Sequence, residues 1–212
     1  MIMEKIIAKN LLDCKAVFLK PNEPFTWASG IKSPIYCDNR LVLSFAEKRT
    51  IVVKAFVEKI KADYPEVECL MGTATAGIPW AALVADKMEL PMGYVRSSNK
   101  THGKQNKIEG KLEPGTKVVI VEDLISTGGS CADVVNALKE AGANVLGVVA
   151  IFSYLLPDST KLFNDINTSF STLSNYDVLI DVALTNNYID SADLEKLKAW
   201  KVNPHDESWM TK

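Results

Sequence analysis

Val118-Val119-Ile120-Val121-Glu122-Asp123-Leu124-Ile125-Ser126-Thr127-Gly128-Gly129-Ser130 decides how this chain is read. An uninterrupted Val/Ile run marks a parallel strand buried on both faces. From Cys131 onward, Val134, Val135, Leu138 and Ala141 recur at helical spacing, and Gly142 is placed to end that helix. The acidic pair and the Ser/Thr/Gly turn therefore lie between the carboxyl end of a strand and the start of a helix. Open α/β sheets bind their ligands there.

Each residue type in this turn has a chemical use. Ser126, Thr127 and Ser130 supply hydroxyls, while Gly128 and Gly129 let backbone N–H groups approach an anion. The helix behind them adds the positive end of its dipole, and the set suits a phosphate monoester. Glu122 and Asp123 repel phosphate but accept hydrogen bonds from vicinal hydroxyls. A phosphate with a diol beside it describes a ribose 5-phosphate. An ordinary loop also accounts for a Gly/Ser/Thr cluster; the carboxylates directly before it argue against that.

The rest of the chain frames this turn. Its 212 residues suffice for one domain with a substantial core, and the composition (47% apolar, 24% charged) is that of a globular protein. A net charge of −2 implies no general attraction to nucleic acid or anionic membrane, so an anion site must be built locally. Met1 to Asp13 lacks the apolar core of a signal peptide, and the run from Val145 to Phe152 is too short to span a bilayer. Cys14, Cys37, Cys69 and Cys131 are scattered, which fits a reducing cytoplasm better than a zinc site or a disulfide framework. Cys131, at a helix start, reads as a packing residue rather than an activated thiol.

Taken in order, residues 4–13 form a short amphipathic helix, and Ala16–Leu19 and Ile35–Cys37 short strands. This opening has too little core to stand alone. Residues 1–43 are expected to form a small hood subdomain lying over the main sheet, and residues 44–212 the α/β core. A capping box at Ser44 starts a helix to about Tyr64. Strands are predicted over 67–72, 91–95, 117–121, 146–152 and 177–181, with helices opening at Ile78-Pro79 and at Ser191. The fold class is a doubly wound parallel sheet flanked by helices. Gly72 to Gly77 forms a second small-residue turn at the same sheet edge. Arg96 to Gly110 holds one apolar residue, Ile108, and is expected to be a mobile cationic lid carrying Arg96, Lys100, His102 and Lys104.

From about Ala16 to Tyr154 the chain resembles the type I phosphoribosyltransferases, and Glu122 to Ser130 is similar to their signature for phosphoribosyl pyrophosphate (PRPP) in its orotate phosphoribosyltransferase wording. The resemblance implies that this fold binds PRPP through Arg96, Lys100, His102, Glu122, Asp123, Leu124, Ile125, Ser126, Thr127, Gly128, Gly129 and Ser130. It implies that Lys100 and His102 are catalytic, His102 giving either a proton or a hydrogen bond, and that Ser126 lies near orotate. It implies Mg²⁺ held by substrate oxygens, with no residue assigned as a direct metal ligand. It also implies a homodimer in which the loop reaches the neighbouring subunit's site. Phe25-Thr26, Ser29-Gly30 and Ser33-Pro34-Ile35-Tyr36 match the family's opening segment and favour orotate over a purine. Ala28, Thr75-Ala76 and Tyr154 depart from some members, which carry Lys, Tyr-Lys and an orotate-reading Arg there. The rival readings are a phosphoribosyltransferase for another base, a non-catalytic PRPP sensor and a plain nucleotide-binding module.

Overall fold

The protein is described as a computed structural model covering residues 2–27, 30–96 and 107–211. The chain divides into two compact units, Thr50–Leu173 and Met1–Arg49 with Ser174–Lys212. The expected division at Leu43 differs from this at both ends, because the carboxyl-terminal elements cluster with the amino-terminal ones.

The reason is visible within that unit. It holds α1 (Ile2–Asp13), β1 (Val17–Leu19), β2 (Phe25–Thr26), β3 (Lys32–Ser33) and β4 (Ile35–Cys37), with β1 antiparallel to β4 and β2 to β3. The long helix α2 (Ala46–Asp63) leads out of it. The returning chain supplies the core that the opening lacks. Trp200 stands edge-on to Trp27 at 5.7 Å and donates its indole N–H to the Lys32 carbonyl at 3.0 Å. Asn22 bonds to Asp193 and Lys196, and Trp209 in the tail is buried.

In the other unit, β5 (Cys69–Thr73), α3 (Gly77–Met88), β6 (Met92–Val95), β7 (Ile108–Glu109), β8 (Lys117–Ile125), α4 (Gly129–Glu140), β9 (Asn144–Ser153) and α5 (Pro157–Asp165) follow in order. With β10 (Phe170–Asn175) they form a six-stranded sheet of order β10-β9-β8-β5-β6-β7. β6, β5, β8 and β9 run parallel in successive pairs, and the short β7 is antiparallel to β6. The expected α/β sheet is therefore present. Val118 to Val121 are fully buried, as a strand covered on both faces requires. Met71, Val118, Ile120, Val148 and Ala150 pack with Cys131, Val134, Val135 and Leu138 of α4. The two-residue alternation sends Val119 and Val121 to the face that α3 covers.

One predicted strand is wrong. Asp177–Asp181 lies inside α6 (Tyr176–Thr185), and the strand of that region is β10 just before it. Asn175 caps α6 by accepting from the Val178 N–H at 3.1 Å, and Tyr176, Leu179, Ile180 and Ala183 are buried at helical spacing. The last helix, α7 (Ser191–Val202), is where expected and is capped by Asp190. No helix among the described residues is long and apolar enough to cross a membrane.

Candidate active site at the open end of β8

The central strand outruns its neighbour. β8 is paired with β5 from Val118 to Val121, but with β9 it continues through Glu122, Leu124 and Ile125. It was expected to stop at Val121. The added residues bond on the β9 side only, so a cleft opens where β5 has already turned away. Glu122 and Asp123 sit at the edge of that opening.

Beyond Ile125 the chain makes the predicted turn. Gly128 has φ +88°, a conformation that disfavours any side chain, and a Cβ there would stand 3.1 Å from the Phe163 ring. Thr127, Gly129 and Ser130 are exposed, Ser126 half-buried, and nothing lies within 4 Å of where a Gly129 Cβ would be. No side chain caps α4 at Gly128, so the first N–H groups of the helix are left to an incoming anion. Leu124 is half-buried and Ile125 belongs to the core.

The two carboxylates differ. Glu122 is 7% exposed and Asp123 half-buried, because alternation along the strand turns Glu122 toward the α4 face. One Glu122 oxygen accepts the Asp123 backbone N–H at 2.8 Å. Burial first, and then the Asp123 charge, pushes the Glu122 pKa well above the usual carboxylate range. The Thr73 hydroxyl lies close enough to pull it partly back, without making a hydrogen bond of good geometry. The Cys131 thiol is buried, and desolvation followed by the Glu122 charge drives its pKa up, so it packs rather than reacts.

The family-model match covers residues 45–176 and is described as a phosphoribosyl transferase domain. Over 209 residues, 99% of this chain and 99% of the relative, the chain is 59% identical to the orotate phosphoribosyltransferase of Listeria innocua. It is 56% identical to that of Bacillus subtilis, over 100% of this chain and 98% of the relative. The chain belongs to the orotate phosphoribosyltransferase family. The orotate phosphoribosyltransferase structure from Aeropyrum pernix superposes with a TM-score of 0.75 at 26% identity, over 86% of this chain and 99% of that one.

Arg96 follows β6, pairs its guanidinium Nε with a Glu109 carboxylate oxygen at 3.4 Å, and donates its backbone N–H to the Lys107 carbonyl at 2.9 Å. The far end of the expected lid is thus packed strand, with Ile108 in the core. Residues 97–106, with Lys100, His102 and Lys104, lie outside the described residues, as do Ala28 and Ser29. A cleft of about 90 Å³ is lined by Thr73, Arg96, Lys107, Ser130 and Asp133 among others. Lys107 and Asp133 were missed by sequence reasoning. Lys107 was legible only as the last cation before Ile108, and Asp133 as one of several polar positions on α4. Tyr154, matched to an orotate-reading Arg in some members, is 2% exposed and packs edge-on to Phe152 at 5.7 Å.

The second turn uses its glycines differently from the first. A Cβ on Gly77 would meet Thr73 Oγ1 and the Val121 carbonyl at 2.5 Å each, and one on Gly72 the Gly77 carbonyl at 3.0 Å. Both are buried so that α3 can lie against β5 and β8. What faces outward between them is Thr75, flanked by half-buried Ala74 and Ala76.

Proposed function

We propose that this chain transfers the 5-phosphoribosyl group of PRPP to orotate, giving orotidine 5′-monophosphate and pyrophosphate. The observation that carries it is the open end of β8, where a carboxylate pair stands beside an uncapped helix start flanked by exposed hydroxyls. That pairing suits a sugar diol and its 5′-phosphate together. The choice of orotate rests on full-length likeness to relatives of that name.

In this reading Thr127 to Ser130 hold the 5′-phosphate, Asp123 and Glu122 accept from the ribose hydroxyls, and Leu124, Ile125 and Ser126 form the floor and the side toward orotate. The C1′–O bond to pyrophosphate breaks as the C1′–N1 bond to orotate forms, with inversion. The developing charge sits on the leaving oxygens, so catalysis rests on positioning and electrostatic stabilisation. Arg96, held at the cleft by Glu109, and Lys100 neutralise the pyrophosphate, and His102 gives it a proton or a hydrogen bond. Among the described residues no three His, Cys, Asp or Glu side chains converge as a cage. Two carboxylates beside an open cleft suit a magnesium ion that would arrive with the diphosphate substrate, with no side chain assigned as its direct ligand. Bound so, Mg²⁺ would offset the charge of the leaving group.

A homodimer that shares the loop of residues 96–110 belongs to the same reading, and light scattering tests it. A reducing cytoplasm suits the four free cysteines. The decisive assay follows orotate absorbance with PRPP and Mg²⁺. Loss of absorbance is expected; an unchanged signal, or faster turnover with uracil or a purine base, would overturn the choice of substrate.

A further inference from the structure

Thr73 ends β5 at the floor of the cleft, and its hydroxyl is the feature that the assignment above leaves unused. The residue is 3% exposed and its Oγ1 is buried without a hydrogen-bond partner. Buried polar atoms are paired in nearly every fold, so a buried hydroxyl left unpaired within reach of the Glu122 carboxylate is poised to donate to it. Gly77 fixes where the hydroxyl can be. Its backbone packs so close that a Cβ would stand 2.5 Å from Thr73 Oγ1 and equally close to the Val121 carbonyl. The strand register puts Gly72 opposite Val121, which brings Thr73 alongside Glu122.

Resting on the reading that Glu122 meets the substrate's diol, we propose that Thr73 is a positioning residue for Glu122, donating its hydroxyl proton to the carboxylate and holding it as an acceptor for the sugar. The residues that face this carboxyl set the need for such a donor. Burial against α4 and the Asp123 charge beside it on β8 both favour a neutral acid. Thr73 on β5 acts in the opposite sense. Arg96, Lys107 and Asp133 line the adjoining cleft. A neutral Glu122 would offer one oxygen as a donor where a diol needs two acceptors.

Removing a donor to the charged form raises the carboxyl pKa, and the binding-competent anion is then lost at a higher pH. Thr73→Val keeps the shape and deletes the hydroxyl, while Thr73→Ser keeps the hydroxyl. Two readouts are taken on the full chain: the Glu122 side-chain ¹³C titration by NMR without ligand, and the pH dependence of kcat/KM for PRPP. In Thr73→Val the titration midpoint and the acid limb should both move up by about one pH unit, the size expected for one charge-assisted hydrogen bond. Activity should fall about tenfold on the acid side and converge with wild type at high pH, and Thr73→Ser should restore both. An unmoved midpoint, or Thr73→Ser behaving like Thr73→Val, would overturn the proposal. If Thr73→Val does not fold, Thr73→Ala against Thr73→Ser carries the same comparison. The titration needs no substrate, so a wild type that leaves orotate untouched would sink the functional reading while still deciding this one.

Discussion

Between β5 and α3 the chain runs Gly72-Thr73-Ala74-Thr75-Ala76-Gly77; between β8 and α4 it runs Ser126-Thr127-Gly128-Gly129-Ser130. The two turns sit at the same edge of one parallel sheet and draw on the same small residues. In the first, both glycines are buried and bring a helix backbone against two strands. In the second, one glycine answers a left-handed backbone and the other faces open space. A glycine in a strand-to-helix turn is therefore not by itself a sign of a ligand. What sets Gly129 apart from Gly72, Gly77 and Gly128 is that a Cβ there would meet nothing.

That contrast can be broken by substitution. The largest effect is expected from Glu122→Ala with Asp123→Ala, which removes both acceptors at the open end of β8. Loss of two charge-assisted hydrogen bonds should lower kcat/KM for PRPP by about 100-fold or more, mostly through KM. Steady-state kinetics with KM for PRPP unchanged would remove the diol assignment. Gly77→Ala comes next, because its Cβ would collide with a backbone carbonyl that cannot step aside. It should destabilise by about 1–3 kcal/mol, read as a lower Tm. Gly129→Ala should leave Tm unchanged and raise KM for PRPP by about tenfold, since its methyl projects into the space kept for the phosphate. If Gly129→Ala melted early while Gly77→Ala did not, the comparison would be inverted.

The smallest change is expected from Glu122→Gln. Its folded-state pKa is raised, so burying the charge costs stability only as pH climbs past the ordinary carboxylate range. The neutral variant should have a higher Tm at neutral pH, with the gain shrinking as pH falls into that range. A gain independent of pH would mean that Glu122 is not the group being relieved.

Much of the sheet was legible because its strands are buried on both faces, and a run such as Val118 to Val121 has no other comfortable place. The turn after it was legible because an acidic pair is an unlikely ornament at a strand end. Three things escaped. The length of β8 escaped because Glu122 to Ile125 breaks the apolar run, although the backbone goes on pairing with β9. The strand Phe170–Asn175 is mostly polar, with Phe170 and Leu173 its two apolar residues, and was masked by the more apolar Val178-Leu179-Ile180, which belongs to a helix. Trp200 under Trp27 and Lys32 joins residues far apart in the chain, and no local pattern announces such a pair. The role of Thr73 was hidden for a different reason: a threonine at a strand end is ordinary, and only the packing of Gly77 gives its hydroxyl a fixed address.

The most direct measurement is a crystal structure of the protein soaked with PRPP and magnesium. The 5′-phosphate should lie on the backbone of Thr127 to Ser130 with the ribose hydroxyls on Asp123 and Glu122. A sugar phosphate bound elsewhere, or a Glu122 carboxyl that keeps its back to the ligand, would contradict the account.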